Sequence, residues 1–415
     1  MFLLPIIVTA LGVFLLCKLR AFPLRHPIRT ARGCIRAASR GGFCSLALAL
    51  AGTLGVGNIF GVAISISLGG AGSVFWLFFS SVFASIIKYA EALVSVDSIK
   101  IGEGQGGMMY AIARLLPHGR MLGGIYAAIC LLLAFVMGGA MQSAAAVSAV
   151  VSAFPVPRFL LSLAFLTIFL ILVLGPRERI KRTTSVLVPL AATIYAAMAF
   201  FVIFRYFSEI PRVLSQILRE AFSARALGAG VTGGLVASPI IRGYSTGILS
   251  NEAGAGTSSM AHASEINVSP SSAGLLGMCE VVVDTAVICM LTAFAILLPC
   301  RDTAVSAERL LSTLSSAFFG SEAMFCASVF VFALATAVCW YYYATVSARY
   351  LFDKEVTRAL LPTYAASLLF GGFLDTSLLA AVSDVLLLLL TLLTAPVIIK
   401  SSDRIRALSE LDRIL

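Results

Sequence analysis

Apolar positions in this 415-residue chain gather in long unbroken runs, not in strand-like alternation or one-sided helical stripes. Eleven such runs fall near 2–18, 44–69, 73–97, 121–152, 158–175, 185–207, 226–249, 271–299, 321–352, 358–377 and 379–399. Their lengths match the roughly 17–25 residues that a helix needs to cross a bilayer core. Helix is also the element that lipid demands, because a single segment must satisfy its own amides and carbonyls there. Two further pieces, around 209–222 and 304–318, mix polar and apolar residues at helical spacing and are expected to lie along a membrane surface. The pattern predicts an all-α polytopic membrane protein of about eleven transmembrane helices.

Composition fixes lipid as the solvent. Hydrophobic residues make up 60% of the chain and charged residues 12%, with a mean hydropathy of +1.00. A soluble domain carries about twice that charged fraction. The net charge of +10 does not point to nucleic acid, because the basic residues collect in short loops between apolar runs. Arg20, Arg25, Arg29, Arg32, Arg36 and Arg40 follow the first run; Arg177, Arg179, Lys181 and Arg182 follow the fifth; Lys354, Arg358, Lys400, Arg404 and Arg406 border the last ones. By the positive-inside bias, the N-terminus is expected outside and the C-terminus in the cytoplasm, in a multi-pass protein of the cell (inner) membrane. Arg205, Arg212, Arg219, Arg301 and Arg309 fall on the other side, several of them on the amphipathic pieces. The nine cysteines form no CxxC pair and read as small buried hydrophobes. No obligate protein partner is expected.

Two runs are poor helices. The second contains Gly52, Gly55, Gly57 and Gly61, and the seventh contains Gly228, Gly230, Gly233 and Gly234 before Pro239 and Gly243. Glycine costs about 1 kcal/mol per helical position relative to alanine. Close helix packing is one explanation for such residues. Their placement argues for another: with the first helix set aside, each opens a five-helix unit. Matching interruptions in two halves mark an inverted-repeat transporter with its site at the breaks. The expected organisation is an N-terminal helix and basic loop over 1–43, a first five-helix repeat over 44–225, a second over 226–400, and a tail over 401–415.

At these breaks the chain resembles the alanine/glycine:cation symporter family, the sodium:alanine symporters. Gly52-Thr-Leu-Gly-Val-Gly-Asn-Ile-Phe-Gly61 and the run to Gly72 are similar to the family's GTxGxGNIxGVAxAIxLGGxG. Ser250–Ala263, reading SNEAGAGTSSMAHA, is similar to SNEAGxGSAPIAHA. Lys88-Tyr-Ala-Glu-Ala92, Gly106-Gly-Met-Met-Tyr110 and Trp340-Tyr-Tyr-Tyr343 follow in family order. The resemblance covers about residues 44–400. It implies a LeuT-like core of two inverted five-helix repeats and sodium-coupled uptake of alanine, D-alanine or glycine. No cofactor is implied beyond sodium as the coupling ion.

The chemistry suits that expectation. A zwitterion in the bilayer needs partners for both charges, and a broken helix offers freed amides at one stub and freed carbonyls at the other. By the resemblance, Gly57 and Asn58 sit where the family holds its substrate, and Gln142 matches a glutamine that contacts it. Trp340 matches a tryptophan that walls the pocket. Thr336, at i−4 from Trp340, matches a hydroxyl that binds sodium together with carbonyls near Ala51 and Leu54. Ala144 and Ala335 stand where the family often carries an Asn and a second hydroxyl.

Other ionisable residues lie within the apolar runs. Lys88 and Glu91 are spaced to pair on one helix face, and His262 and Glu252 are expected to organise the loop after the seventh helix. Arg242 is expected to snorkel. Glu280 and Asp284, at i and i+4, place two carboxylates together, an arrangement suited to a proton as coupling ion. A proton-coupled carrier on the same fold is therefore the rival within transport. A membrane-embedded enzyme is the rival of another class, but the sequence carries no HExxH, GxSxG or Walker loop.

Overall fold

The computed structural model describes residues 3–99, 106–175, 177–223, 238–265, 268–300, 305–318, 322–352 and 359–409. Among them every regular element is helical. The first half of the chain supplies α1 (Leu3–Lys18), α2 (Pro27–Ala37), α3 (Phe43–Thr53), α4 (Gly57–Gly69), α5 (Ser73–Asp97), α6 (Met108–Leu115), α7 (Gly119–Ala153), α8 (Arg158–Val173), α9 (Arg177–Arg205) and α10 (Ile210–Ala221). The second half supplies α11 (Pro239–Asn251), α12 (Pro270–Leu297), α13 (Ala307–Ala317), α14 (Glu322–Leu351), α15 (Leu360–Gly371), α16 (Thr376–Lys400) and α17 (Ser402–Leu408).

Six of these, α5, α7, α9, α12, α14 and α16, are long and apolar enough to cross a membrane, and the stretch Pro27–Thr53 (α2 running into α3) with α4 makes a seventh, bent by 54°. The shorter apolar helices α1, α8 and α15 fall on three more of the expected runs. The remaining run, 226–249, is described only in its second half, as α11; Gly228, Gly230, Gly233 and Gly234 lie outside the described residues. The amphipathic pieces appear as α10 and α13. Helix α2 was not foreseen: within the basic stretch after α1, the sequence PIRTARGCIRA spaces its apolar and basic residues on opposite faces.

Small residues set the helix contacts. Helix α11 lies along α5 because Gly243 and Gly247, one turn apart, bring its backbone against the Ser73 carbonyl and Ser80. Here the packing explanation for Gly243 holds. On the other face of α5, Gly277 of α12 lies against the Lys88 carbonyl. Helix α14 runs through the middle, against α7, α9 and α3. Many large apolar side chains are left exposed on the outside, among them Ile6, Phe79, Leu132, Phe159 and Phe204, as a lipid-facing shell requires.

The two termini lie at opposite ends of the bundle. Leu4 and Pro5 border a cavity with Ser377 and Asp384 at the start of α16. Lys18, at the far end of α1, pairs with Asp403 of α17 at 2.7 Å. That second end also holds Arg404 against Asp97 and Lys181 against Glu265.

Candidate functional site

The site is built on the break between α3 and α4. Leu54 leaves the helical region with φ −74° and ψ 75°. In a continuous helix the Gly55 amide would serve the Ala51 carbonyl; here it donates to Thr53 O at 2.8 Å and to Asn58 Oδ1 at 3.2 Å. The Ala51 carbonyl is thereby released from the ladder. The chain resumes with a wide π turn over Gly57–Gly61. Two other wide turns, Ala134–Ala140 in α7 and Val282–Cys289 in α12, flank the same region. Such turns reorient side chains by adding a residue to the turn, and they recur at functional sites.

Beside the break lies a cavity of about 250 Å³. Gly55, Gly57, Thr246, Ser250, Gln142 and Thr336 line it together with Val56, Phe60, Met137 and Met141. Thr376, Ser377 and Asp384 of α16 border it as well, and among the described residues Asp384 is the one charged side chain in its lining. A side chain at Gly57 would meet nothing within 4 Å, so the backbone there is open to whatever occupies the space. A Cβ at Gly55 would stand 2.9 Å from Thr336 Oγ1 and 3.3 Å from Gln142 Oε1, so glycine lets both groups approach the break.

The residues singled out in the sequence take different places around this cavity. Gln142 donates from Nε2 to Met137 O at 3.1 Å, while its buried Oε1 has no partner among the described residues. The Thr336 hydroxyl lies 3.3 Å from Leu54 O and 3.0 Å from its own Phe332 O. Thr336 and Leu54 are thus brought together, with the released Ala51 carbonyl one turn earlier. Asn58 is 2% exposed and does not line the cavity. Its Nδ2 donates to Asp284 Oδ1 at 2.6 Å while its Oδ1 accepts from Gly55, so both amide ends serve the break. Trp340 stands behind α3: its Nε1 donates to Gly52 O at 3.4 Å, and its ring packs on Gly138, where a Cβ would collide.

Glu280 and Asp284 do not act as a pair of facing acids. Asp284 Oδ2 accepts from Ser250 Oγ and Thr285 Oγ1, both at 2.8 Å, and Ser250 lines the cavity. Glu280 turns the other way, to Lys88 Nζ at 3.0 Å and His262 Nε2 at 2.9 Å. Lys88 therefore pairs with Glu280, not with Glu91, and also donates to Ser258 Oγ at 2.7 Å. Glu91 instead accepts from the amides of Gly254 and Gly256 at 2.8 and 3.1 Å. Glu252 accepts from Thr257 Oγ1. The loop 252–258 is thus held between α5 and α12 by buried charge, a role expected for Glu252 and His262 but not for Lys88. It fills the end of the bundle where Lys18, Lys181 and Arg404 lie, whereas the cavity reaches toward the opposite end, where α16 begins.

Taken together, the break offers freed backbone groups, uncharged side-chain oxygens and one carboxylate around a small cavity. Groups of these kinds can hold a small polar solute or a cation without covalent chemistry.

Comparison with known proteins places this arrangement. The model of the sodium:alanine symporter family matches residues 1–409. The sodium/alanine symporter AgcS of Methanococcus maripaludis is 28% identical, with 83% of this chain and 78% of that protein aligned. The putative sodium/proton-dependent alanine carrier protein YrbD of Bacillus subtilis is 30% identical, over 74% of this chain and 67% of its own length. A crystal structure of the Eremococcus coleocola manganese transporter superposes with a TM-score of 0.52, at 15% identity, covering 89% of this chain and 76% of that one. This last likeness bears on the fold alone, and it bears out the all-α membrane-protein fold expected from the sequence.

Proposed function

Because the chain belongs to the sodium:alanine symporter family, and so is a multi-pass membrane transporter coupling amino acids to a cation and not an enzyme, we propose that it imports a small neutral amino acid (alanine, D-alanine or glycine) together with sodium. The observation that carries this reading is the opened backbone at Leu54–Gly57, with Thr336 Oγ1 3.3 Å from Leu54 O and the partnerless Gln142 Oε1 facing the same cavity.

Sodium takes neutral oxygens readily, and here they are the carbonyls of Ala51 and Leu54 and the hydroxyl of Thr336. The substrate lies across the break: the amides of the α4 stub, at Gly57, meet its carboxylate at the positive end of that helix. Gln142 Oε1 accepts from its ammonium. Asn58 acts from behind, holding the break open through Gly55 and Asp284, and Trp340 supports the α3 stub. A cavity of about 250 Å³ is small for a ligand site and favours small side chains. The repeats span 44–225 and 226–400, with the N-terminus outside and the C-terminus in the cytoplasm. In that orientation the cavity faces the outside and the charged 252–258 loop closes the cytoplasmic end, one of the two states of an alternating-access cycle.

The proton is the rival coupling ion, because Asp384 lines the cavity and Asp284 lies a single hydroxyl, Ser250, from it. The deciding experiment is uptake of radiolabelled alanine and glycine into proteoliposomes with sodium and proton gradients imposed separately. Uptake that requires sodium and survives collapse of the proton gradient is expected. Uptake driven by protons without sodium installs the rival, and no uptake of either amino acid removes the substrate reading.

A further inference from the structure

A second cavity, of about 450 Å³, lies beside the central one, between α1, α11 and α16. The two share Ile64, Leu249, Ser377, Ala380 and Asp384, so they adjoin and Asp384 borders both. The side cavity has an apolar wall of Pro5, Val385 and Leu388, with Ala381 on its rim. Its polar part holds Ser245, which is 7% exposed and whose Oγ has no hydrogen-bond partner among the described residues. A buried hydroxyl without a partner forfeits about 1–3 kcal/mol of solvation unless something meets it. Ser80 and Ser81 avoid that cost by donating to a carbonyl one turn back, whereas Ser245 does not. Arg242, about one turn earlier on α11, interacts electrostatically with Asp384, so this corner carries both signs of charge. An aspartate inside an apolar helix is costly in lipid and is kept for a ligand or a partner.

We propose that the side cavity is a second amino-acid site. It takes the ammonium of a zwitterion on Asp384 and its carboxylate on Ser245 Oγ, within the field of Arg242, and lays an aliphatic side chain against Pro5, Val385 and Leu388. The site rests on the amino-acid reading given above and adds a station next to the central one, reached from the same end of the bundle. Because Asp384 borders both cavities, an amino acid leaving the side site hands its ammonium from Asp384 to Gln142 Oε1 as it enters the central one.

The test is equilibrium binding of radiolabelled DL-alanine to the purified full-length chain in detergent, read as equivalents per chain. Two equivalents are expected. Ala381→Phe, which fills the side cavity from an exposed rim position, removes one and leaves the other. Ser245→Ala, which deletes only the hydroxyl, weakens one equivalent by about tenfold. Ala381 is exposed and Ser245→Ala removes a single atom, so both proteins should fold, and each checks the other. A single equivalent untouched by Ala381→Phe overturns the second site and leaves the central one standing. Two equivalents that neither variant alters overturn its location. No bound alanine at all overturns both sites.

Discussion

Glu280→Gln isolates the buried charge that holds the 252–258 loop. Lys88 and Glu280 are 1% and 0% exposed, so neither has water to fall back on. Glutamine keeps the shape and a hydrogen bond for His262 but removes the charge opposite Lys88 Nζ, 3.0 Å away. The ammonium then keeps only neutral close partners, Ser258 Oγ at 2.7 Å and the glutamine oxygen. Removing one member of a buried pair costs about 3–5 kcal/mol, mostly because the other charge stays desolvated. An exposed pair supplies the internal control: Asp403 is 86% exposed, so Asp403→Asn should cost less than about 1 kcal/mol. Lys88→Met combined with Glu280→Gln should recover most of the loss, since no unpaired charge remains. The assay is unfolding of the purified protein in detergent, run as a double-mutant cycle. A Glu280→Gln protein no less stable than Asp403→Asn, or a double variant that is worse than the single one, would refute the ionic account of the loop.

Three further outcomes follow from the geometry at the break. Asn58→Ala should lose uptake and also about 1–3 kcal/mol of stability, because the Asp284 carboxylate and the Gly55 amide both lose a partner; normal stability with lost uptake would return Asn58 to direct substrate contact. Thr336→Val should leave folding nearly intact and raise the sodium concentration for half-maximal uptake about tenfold, measured at saturating alanine; an unchanged sodium dependence moves the ion elsewhere. Trp340→Ala should cost about 3–5 kcal/mol, read by thermal unfolding, since the ring is fully buried between Gly138 and the α3 stub; a stable variant that admits leucine would place it in the pocket wall.

Helix positions were legible because lipid leaves the sequence few choices. The apolar run at 73–97 became α5, Ser73–Asp97, residue for residue, and the run at 321–352 became α14, Glu322–Leu351. The break at Gly52–Gly61 was legible too, since four glycines in ten residues are costly in a helix that lipid must see satisfied. Partnerships across the bundle were not. Lys88 and Glu91 have pairing spacing on one helix, yet the partner of Lys88 is Glu280, 192 residues away. Nothing in local spacing distinguishes a lysine that looks along its helix from one that looks across to α12. Asn58 was visible as an intramembrane amide, but its direction, toward Asp284 and away from the cavity, depends on the width of the turn at Gly57–Gly61. Asp384 went unremarked because a single acid in the Leu-rich α16 matches no motif. The signal available was its charge alone, within a run of otherwise apolar and hydroxyl residues.

The way the two ends of the bundle are sealed bears on how such a chain can alternate. An apolar seal loses about 25 cal/mol for each Å² exposed when it opens. A buried ion pair behaves differently: its desolvation cost and Coulomb gain nearly cancel, and opening returns both charges to water. The end closed by Lys88, Glu280, His262 and the glycine-rich loop is therefore specific in its closed geometry without being deep in free energy. That is the condition for two conformations within a few kcal/mol, so that substrate and ion can shift the balance between them. Replacing Lys88 and Glu280 together with Met and Leu turns the same contact into an apolar seal. The result should be a protein that folds at least as well and transports more slowly, with the accessibility of a cysteine placed at Ala255, within that end, reduced during turnover. Transport at the unaltered rate would mean that the charged contact does not separate in the cycle.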